Sequence, residues 1–216
     1  MLNELNIRET RIDGDHAPEP LVQAMMRAGL GPDFHWSGNE GLAGRTPRIA
    51  LIGTRQPSRG SATAIEALAS QLAMRQAVVV SGGAQGTDLA AHLAALGAGG
   101  TTIVCAPQGL STINWARWRP RLAEAATSAN ALIVSPFPKR QTLTRQTPII
   151  RNRLIAALAE AVIVGEASLG SGTHHCTSFA RELRVPIFFL PDGVEAASQL
   201  ASVHRELQRN GAVPFT

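Results

Sequence analysis

The chain has 216 residues and a formal charge of +4; 44% of it is hydrophobic, only 4% is aromatic, and it has no tyrosine. That length supports a substantial aliphatic core in one main domain, and no apolar run is long enough to span a bilayer. The two cysteines, Cys105 and Cys176, follow no repeated spacing, which argues against a disulfide framework and for reduced thiols in a cytoplasmic protein.

Residues 1–46 are polar and rich in Pro and Gly, and they read as an N-terminal extension with one short helix, Pro20–Arg27. They carry no basic–apolar–small-residue export signal. From 47 to 193, strand and helix signals alternate. The apolar runs Ile49–Ile52, Val78–Val80, Thr101–Cys105, Leu132–Val134, Val162–Val164 and Ile187–Leu190 read as strands. Between them, helices are expected over Ser61–Arg75, Thr87–Leu96, Trp118–Thr127, Asn152–Glu160 and Thr173–Leu183. Residues 194–216 read as a C-terminal helix, near Glu195–Gln208, and a tail. Strands that are apolar throughout and separated by helices predict an α/β domain: a Rossmann-like parallel sheet with helices on both faces. In such sheets ligands bind beyond the carboxyl ends of the strands, at a topological switch point.

Three glycine-bearing turns leave those carboxyl ends: GTRQPSRG (Gly53–Gly60), SGGAQGTD (Ser81–Asp88) and GEASLGSGT (Gly165–Thr173). Exposed amide N–H groups and the positive ends of the following helices make such turns anion sites. In the first, Gly53 permits a sharp exit beside Thr54, Arg55 reaches over the crevice, and Ser58 or Ser61 caps the next helix. In the second, Ser81, Gly82, Gly83, Gln85 and Gly86 bring the backbone close to a ligand. Asp88 and His92, four residues apart, share a helix face. They read either as an acid–base pair or as site-ordering residues, with Asp88 bonding the turn amides; the second reading is adopted, because no nucleophile with a supporting base stands beside them. In the third turn, Ser171, Gly172 and Thr173 present a helix start to phosphate. No GxxxxGK[ST] phosphate loop is present. His174, His175 and Cys176 lack a second ligand cluster, so no metal site is expected.

The cations are almost all arginine, with Lys139 the sole lysine. Arginine's forked guanidinium suits phosphate oxygens, although a GC-rich genome produces the same bias. Between Leu110 and Arg153 stand Arg117, Arg119, Arg121, Lys139, Arg140, Arg145, Arg151 and Arg153, against one acid, Glu124. Acids gather instead in the first 40 residues. A basic stretch inside the folded domain, between anion turns, favours a polyanionic partner. Trp115 and Trp118, interleaved with arginines, either stack on unpaired bases or pack a helix onto the sheet. The Gln141–Gln146 segment reads as a polar flap near the crevice.

These turns, in this order, resemble the DprA/Smf family of DNA-processing proteins. The likeness runs from about Trp36 to Pro191 and rests on WSGNEGLAGRTPRIALIGTR, VVVSGGAQGTDLAAHLAAL, GGTTIVCAPQGL, RNRLIAALAEAVIVGEA, SGT and VPIFFLP. The resemblance implies a Rossmann-like domain that binds single-stranded DNA in a positively charged crevice, forms a homodimer, and loads a RecA-type recombinase during natural transformation. It implies phosphate contacts from Arg55, from the amides of the SGGAQG turn, and from Arg151 and Arg153 of the RNR segment, with Asn152 fixing the loop. It implies neither a catalytic residue nor a cofactor. The chain departs from the family pattern at Gln85, where a basic residue is usual, at Ile149-Ile150 before RNR, at Pro136, and over HHCTSFA (His174–Ala180). The rival expectation from the same fold class is a nucleotide-binding sensor or an enzyme that cleaves nucleoside monophosphates. Against the enzyme, SGGAQGTD lacks the final glutamate of the PGGxGTxxE pattern.

Overall fold

The computed structural model describes residues 7–11, 14, 16–114, 120–127, 129–167, 171–190 and 213–214. Its strands are β1 (Arg8–Arg11), β2 (Asp33–Gly38), β3 (Arg48–Ile52), β4 (Val78–Ser81), β5 (Thr101–Cys105), β6 (Ala131–Ser135), β7 (Ala161–Val164), β8 (Ile187–Phe189) and β9 (Val213–Pro214). The helices are α1 (Glu19–Arg27), α2 (Arg59–Met74), α3 (Thr87–Gly97), α4 (Pro120–Thr127), α5 (Thr147–Leu158) and α6 (Gly172–Glu182). All nine strands form one sheet in the order β1-β2-β6-β5-β4-β3-β7-β8-β9. Strands β3 to β9 pair in parallel, whereas β2 runs antiparallel to β6 and β1 antiparallel to β2.

Side chains alternate faces along each strand, so a sheet covered on both sides needs strands that are apolar at every position. Ala50, Ile52, Val78, Val80, Ile103 and Leu132 pack on one face against Leu21 and Met25 of α1 and Leu154, Ile155 and Leu158 of α5. On the other face, Leu51, Val79 and Ile163 meet Ile65, Leu68 and Ala69 of α2 and Ala91 and Ala95 of α3. Val104 and Ile133 meet Leu122 and Ala123 of α4 on that same side. The Rossmann-like arrangement expected from the alternation is therefore present.

Residues 1–46, expected as an extension outside the main domain, contribute β1 and β2 to the same sheet. In β2, Phe34, His35, Trp36 and Ser37 are all buried. His35 Nδ1 lies 2.9 Å from the Phe137 carbonyl oxygen, and the Trp36 indole donates to Glu40 at 2.6 Å. The expected helix near Glu195–Gln208, and Arg117, Arg119, Trp115 and Trp118, lie outside the described residues. Among the described residues, no helix is long and apolar enough to cross a membrane.

The chain fills the sheet from β3 toward β6, then returns to the far side of β3 with β7. This reversal is the switch point, and the loops leaving β3 and β7 must part there.

Candidate functional site

A cleft of about 850 Å³ opens at that point. It is walled by Gly53, Thr54 and Arg55 after β3, Ala84 and Asp88 after β4, and Ser171, Gly172, Thr173, His175 and Cys176 at the start of α6. The loop before α5 closes it with Leu143, Thr144 and Arg145, and α5 itself supplies Pro148, Ile149, Arg151 and Asn152.

The three glycine turns are laced to one another. The Thr54 amide donates to the Glu166 carbonyl at 2.6 Å, and the Thr54 carbonyl accepts from both the amide and the hydroxyl of Thr87, each at 3.1 Å. Close backbone approach requires the glycines. A Cβ on Gly53 would lie 2.5 Å from Thr87 Oγ1, and Gly86, at φ +79°, would place one 2.5 Å from the Arg55 carbonyl. Several turn donors are consequently committed within the protein. Ser58 caps α2 by accepting from the Ser61 amide at 3.3 Å, while its own amide donates to Glu166 Oε2 at 2.7 Å.

The second turn encloses its own anion. Asp88 Oδ2 accepts from the Ala84 amide at 3.3 Å, and the Gly82 amide also supports the carboxylate. Burial pushes the Asp88 carboxyl above its ordinary value of 3.8, and the nearby Arg151 charge works against that rise. Ser81 lies buried beneath the turn, its hydroxyl donating to the Leu51 carbonyl at 2.6 Å. Gly82 and Gly83 are buried, and Gln85 is exposed at the tip; none of these lines the cleft.

Arg151 is 5% exposed at the floor of the cleft. Its guanidinium donates to the carbonyl oxygens of Gly82 and Cys105, so it braces α5 against the ends of β4 and β5. Burial lowers its proton affinity and the Asp88 charge opposes that. Asn152 fastens α5 to α6 by donating to the Gly172 carbonyl at 2.8 Å. Arg153, which the family resemblance placed at the same crevice, does not line it. Its guanidinium carbon stacks 4.3 Å from the centre of the Phe179 ring, and the side chain also reaches Glu182 at 3.8 Å and the Ala28 carbonyl at 3.5 Å. The reason is helical geometry: residues two apart diverge by about 200° around the axis, so both arginines of RNR cannot face one cleft.

His92 also stands away from the cleft, fully buried, with Nδ1 2.6 Å from Thr102 Oγ1. The Gln141–Gln146 segment, read as a flap, is pinned at both ends. The Gly109 amide donates to Gln141 O at 2.8 Å, and Thr144 and Thr147 exchange amide-to-hydroxyl bonds of 3.1 and 3.2 Å across the start of α5. Arg145 and Leu143 lie on this segment, and both are exposed where they line the cleft. Their role was visible only as a basic, polar stretch immediately preceding RNR.

Among the described residues, three arginines and one aspartate therefore line the cleft; Arg55 and Arg145 are exposed, whereas Arg151 and Asp88 are buried. The chemistry this permits is anion binding. Burial pushes the Cys176 thiol up to about 12, so it stays protonated and is a poor nucleophile at neutral pH. The described residues hold no group of three or more His, Cys, Asp or Glu placed to bind a metal.

Comparison with known proteins agrees with this architecture. The model of the family described as DNA recombination-mediator protein A matches residues 32–216. The DNA processing protein DprA of Streptococcus pneumoniae is 34% identical over 148 residues, which cover 68% of this chain and 51% of that protein. The chain thus spans about half the length of that curated relative. A solved structure of DprA from S. pneumoniae superposes with a TM-score of 0.81 at 28% identity, covering 98% of this chain and 71% of the other. A structure of DNA processing protein A from Helicobacter pylori, described for its single-stranded DNA binding mode, gives a TM-score of 0.80 at 27% identity and covers 99% of this chain and 93% of its own.

Proposed function

Since the chain belongs to the DprA/Smf family, described as DNA recombination-mediator protein A, we propose that the cleft binds single-stranded DNA in DNA processing, natural transformation or recombination, and that it does so without catalysis. The observation that carries this reading is the charge arrangement at the switch point. Arg55 and Arg145 are both exposed where they line the cleft, and the one lining carboxylate among the described residues, Asp88, is buried and accepts from a turn amide. An extended phosphate backbone can run past both arginines. Gly172 and Thr173, at the amino-terminal end of α6, give it a helix terminus of positive potential. Arg151 adds charge from below and holds the turns, with the Gly82 and Cys105 carbonyls as its hydrogen-bond partners.

Leu143, Pro148 and Ile149 form an aliphatic side to the same cleft. An unpaired base can lie against such a surface, whereas a base stacked within a duplex cannot reach it. This supports a preference for single strands. Homodimer formation and the loading of a RecA-type recombinase are carried over as part of the same proposal.

Fluorescence-anisotropy titration with single- and double-stranded oligonucleotides, across a salt series, tests the reading. Tighter single-strand binding is expected, with a log–log salt slope of about −0.7 per phosphate neutralised. Equal or tighter duplex binding would contradict it. Parallel incubation with nucleoside monophosphates should release no free base; release would favour the enzymatic relatives of this fold class.

A further inference from the structure

Resting on the reading of the cleft as a single-strand site, we propose that the bound strand continues out of it along the carboxyl edge of the sheet toward β6, where Arg140 contacts its phosphate backbone.

Two observations carry this. The first is a rigid, cationic turn at the correct edge. Directly after β6, the Gln141 amide donates to the Pro138 carbonyl at 2.8 Å, which makes Lys139 and Arg140 the two central residues of a β-turn. That turn is bonded on both sides to the loop after β5. The Ser111 amide donates to Lys139 O at 3.3 Å, the Gly109 amide to Gln141 O at 2.8 Å, and the Thr112 hydroxyl to Gln141 O at 3.2 Å. A Cβ on Gly109 would collide with the Pro138 and Lys139 carbonyls, so the two loops pack backbone to backbone. Arg140 is thus carried exposed on a platform with little freedom to move away.

The second observation is continuity of charge. From Phe137 to Arg153 the chain carries Lys139, Arg140, Arg145, Arg151 and Arg153 and no acid, and the partner loop 106–114 has none either. The same loop that presents Arg140 enters the cleft three residues later at Leu143. At most about 3.6 Å per residue, the backbone at Arg140 lies within roughly 11 Å of that at Leu143. In the sheet, β6 is three strand positions from β3, or about 14 Å. A strand leaving the cleft in this direction reaches Arg140 within a few nucleotides. The spacing of about 14 Å between β3, which Arg55 follows, and β6 exceeds the Debye length of about 8 Å at physiological salt, so Arg140 acts only weakly on a short ligand held at Arg55.

The test compares oligothymidylates of three and twelve nucleotides, titrated against the wild-type chain, Arg140→Glu, Arg140→Ala and Arg55→Ala, with thermal unfolding as a check on folding. For the twelve-mer, Arg140→Glu should weaken binding by roughly five- to tenfold, and Arg140→Ala should reduce the salt slope by about 0.7. Binding of the three-mer by both Arg140 variants should stay within about twofold of wild type. Arg55→Ala should weaken both ligands. An unchanged twelve-mer affinity and slope in folded Arg140 variants would overturn the proposal, and so would equal loss for both lengths. Should the three-mer bind too weakly to measure, the twelve-mer slope alone decides. If wild type binds neither length, the cleft reading itself fails, which is a different result from loss confined to the Arg140 variants.

Discussion

The Arg151 guanidinium and the Gly82 carbonyl are hydrogen-bonded inside the protein, with no room between them for a methyl group. This contact ties the helix that follows the cationic loop to the turn that follows β4. The cleft is therefore one assembled unit, in which the glycine, the arginine and Asp88 depend on each other.

Gly82→Ala should accordingly destabilise the fold. Its Cβ would enter the space of a guanidinium that is held by two carbonyls, and displacing that group breaks both bonds. A loss of about 2–4 kcal/mol is expected from overpacking and unsatisfied carbonyls. Thermal denaturation should register this as a Tm lower by roughly 4–16 °C. Gly60→Ala is the control. Nothing lies within 4 Å of its Cβ, and it sits in the first turn of α2, so it should raise stability by about 0.5–1 kcal/mol.

Asp88 gives the protein a specific dependence on pH. Burial raises its folded-state value above 3.8, so just above that pH the folded chain holds a proton that the unfolded chain has lost. The stability contribution of this group is present in acid and declines as the pH rises through the folded value. Asp88→Asn removes the titration and retains an oxygen that can accept from the Ala84 amide. From about pH 4 to 7, urea denaturation should show wild type losing stability relative to the variant. A difference independent of pH over that range would contradict the assignment.

Both thiols should be silent in the native protein. Cys105 and Cys176 are buried, and burial pushes each to about 12. At pH 8 a colourimetric thiol reagent should react with neither before unfolding and with both in denaturant. Rapid labelling of one thiol in the native state would show that Cys176, at the wall of the cleft, is open to solvent.

Much of this architecture was legible in the sequence. The central strands were visible because each is apolar on both faces, and β5 coincides with the expected Thr101–Cys105. The β2 strand was not. His35 and Ser37 interrupt its apolar run, and their burial is explained only by partners more than 90 residues away, such as the Phe137 carbonyl. The start of α5 was expected at Asn152 but lies at Thr147, because Pro148 occupies the first turn, where its missing N–H is no loss. At the site, all three glycine turns contribute lining residues to the cleft, yet the family resemblance treated Arg151 and Arg153 alike. One braces the floor of the cleft while the other packs on Phe179, and Arg145, the exposed cation of that wall, is on the loop before them.

The central claim is that exposed guanidinium groups at the β3–β7 switch point hold a phosphate backbone. Its most direct test is the salt dependence of single-strand binding by Arg55→Ala beside wild type. Arg55 is exposed and lines the cleft, so the variant should unfold at the wild-type temperature. It should bind oligonucleotides of every sequence more weakly, with a log–log slope shallower by about 0.7. Wild-type affinity and an unchanged slope in the folded Arg55→Ala protein would contradict the account.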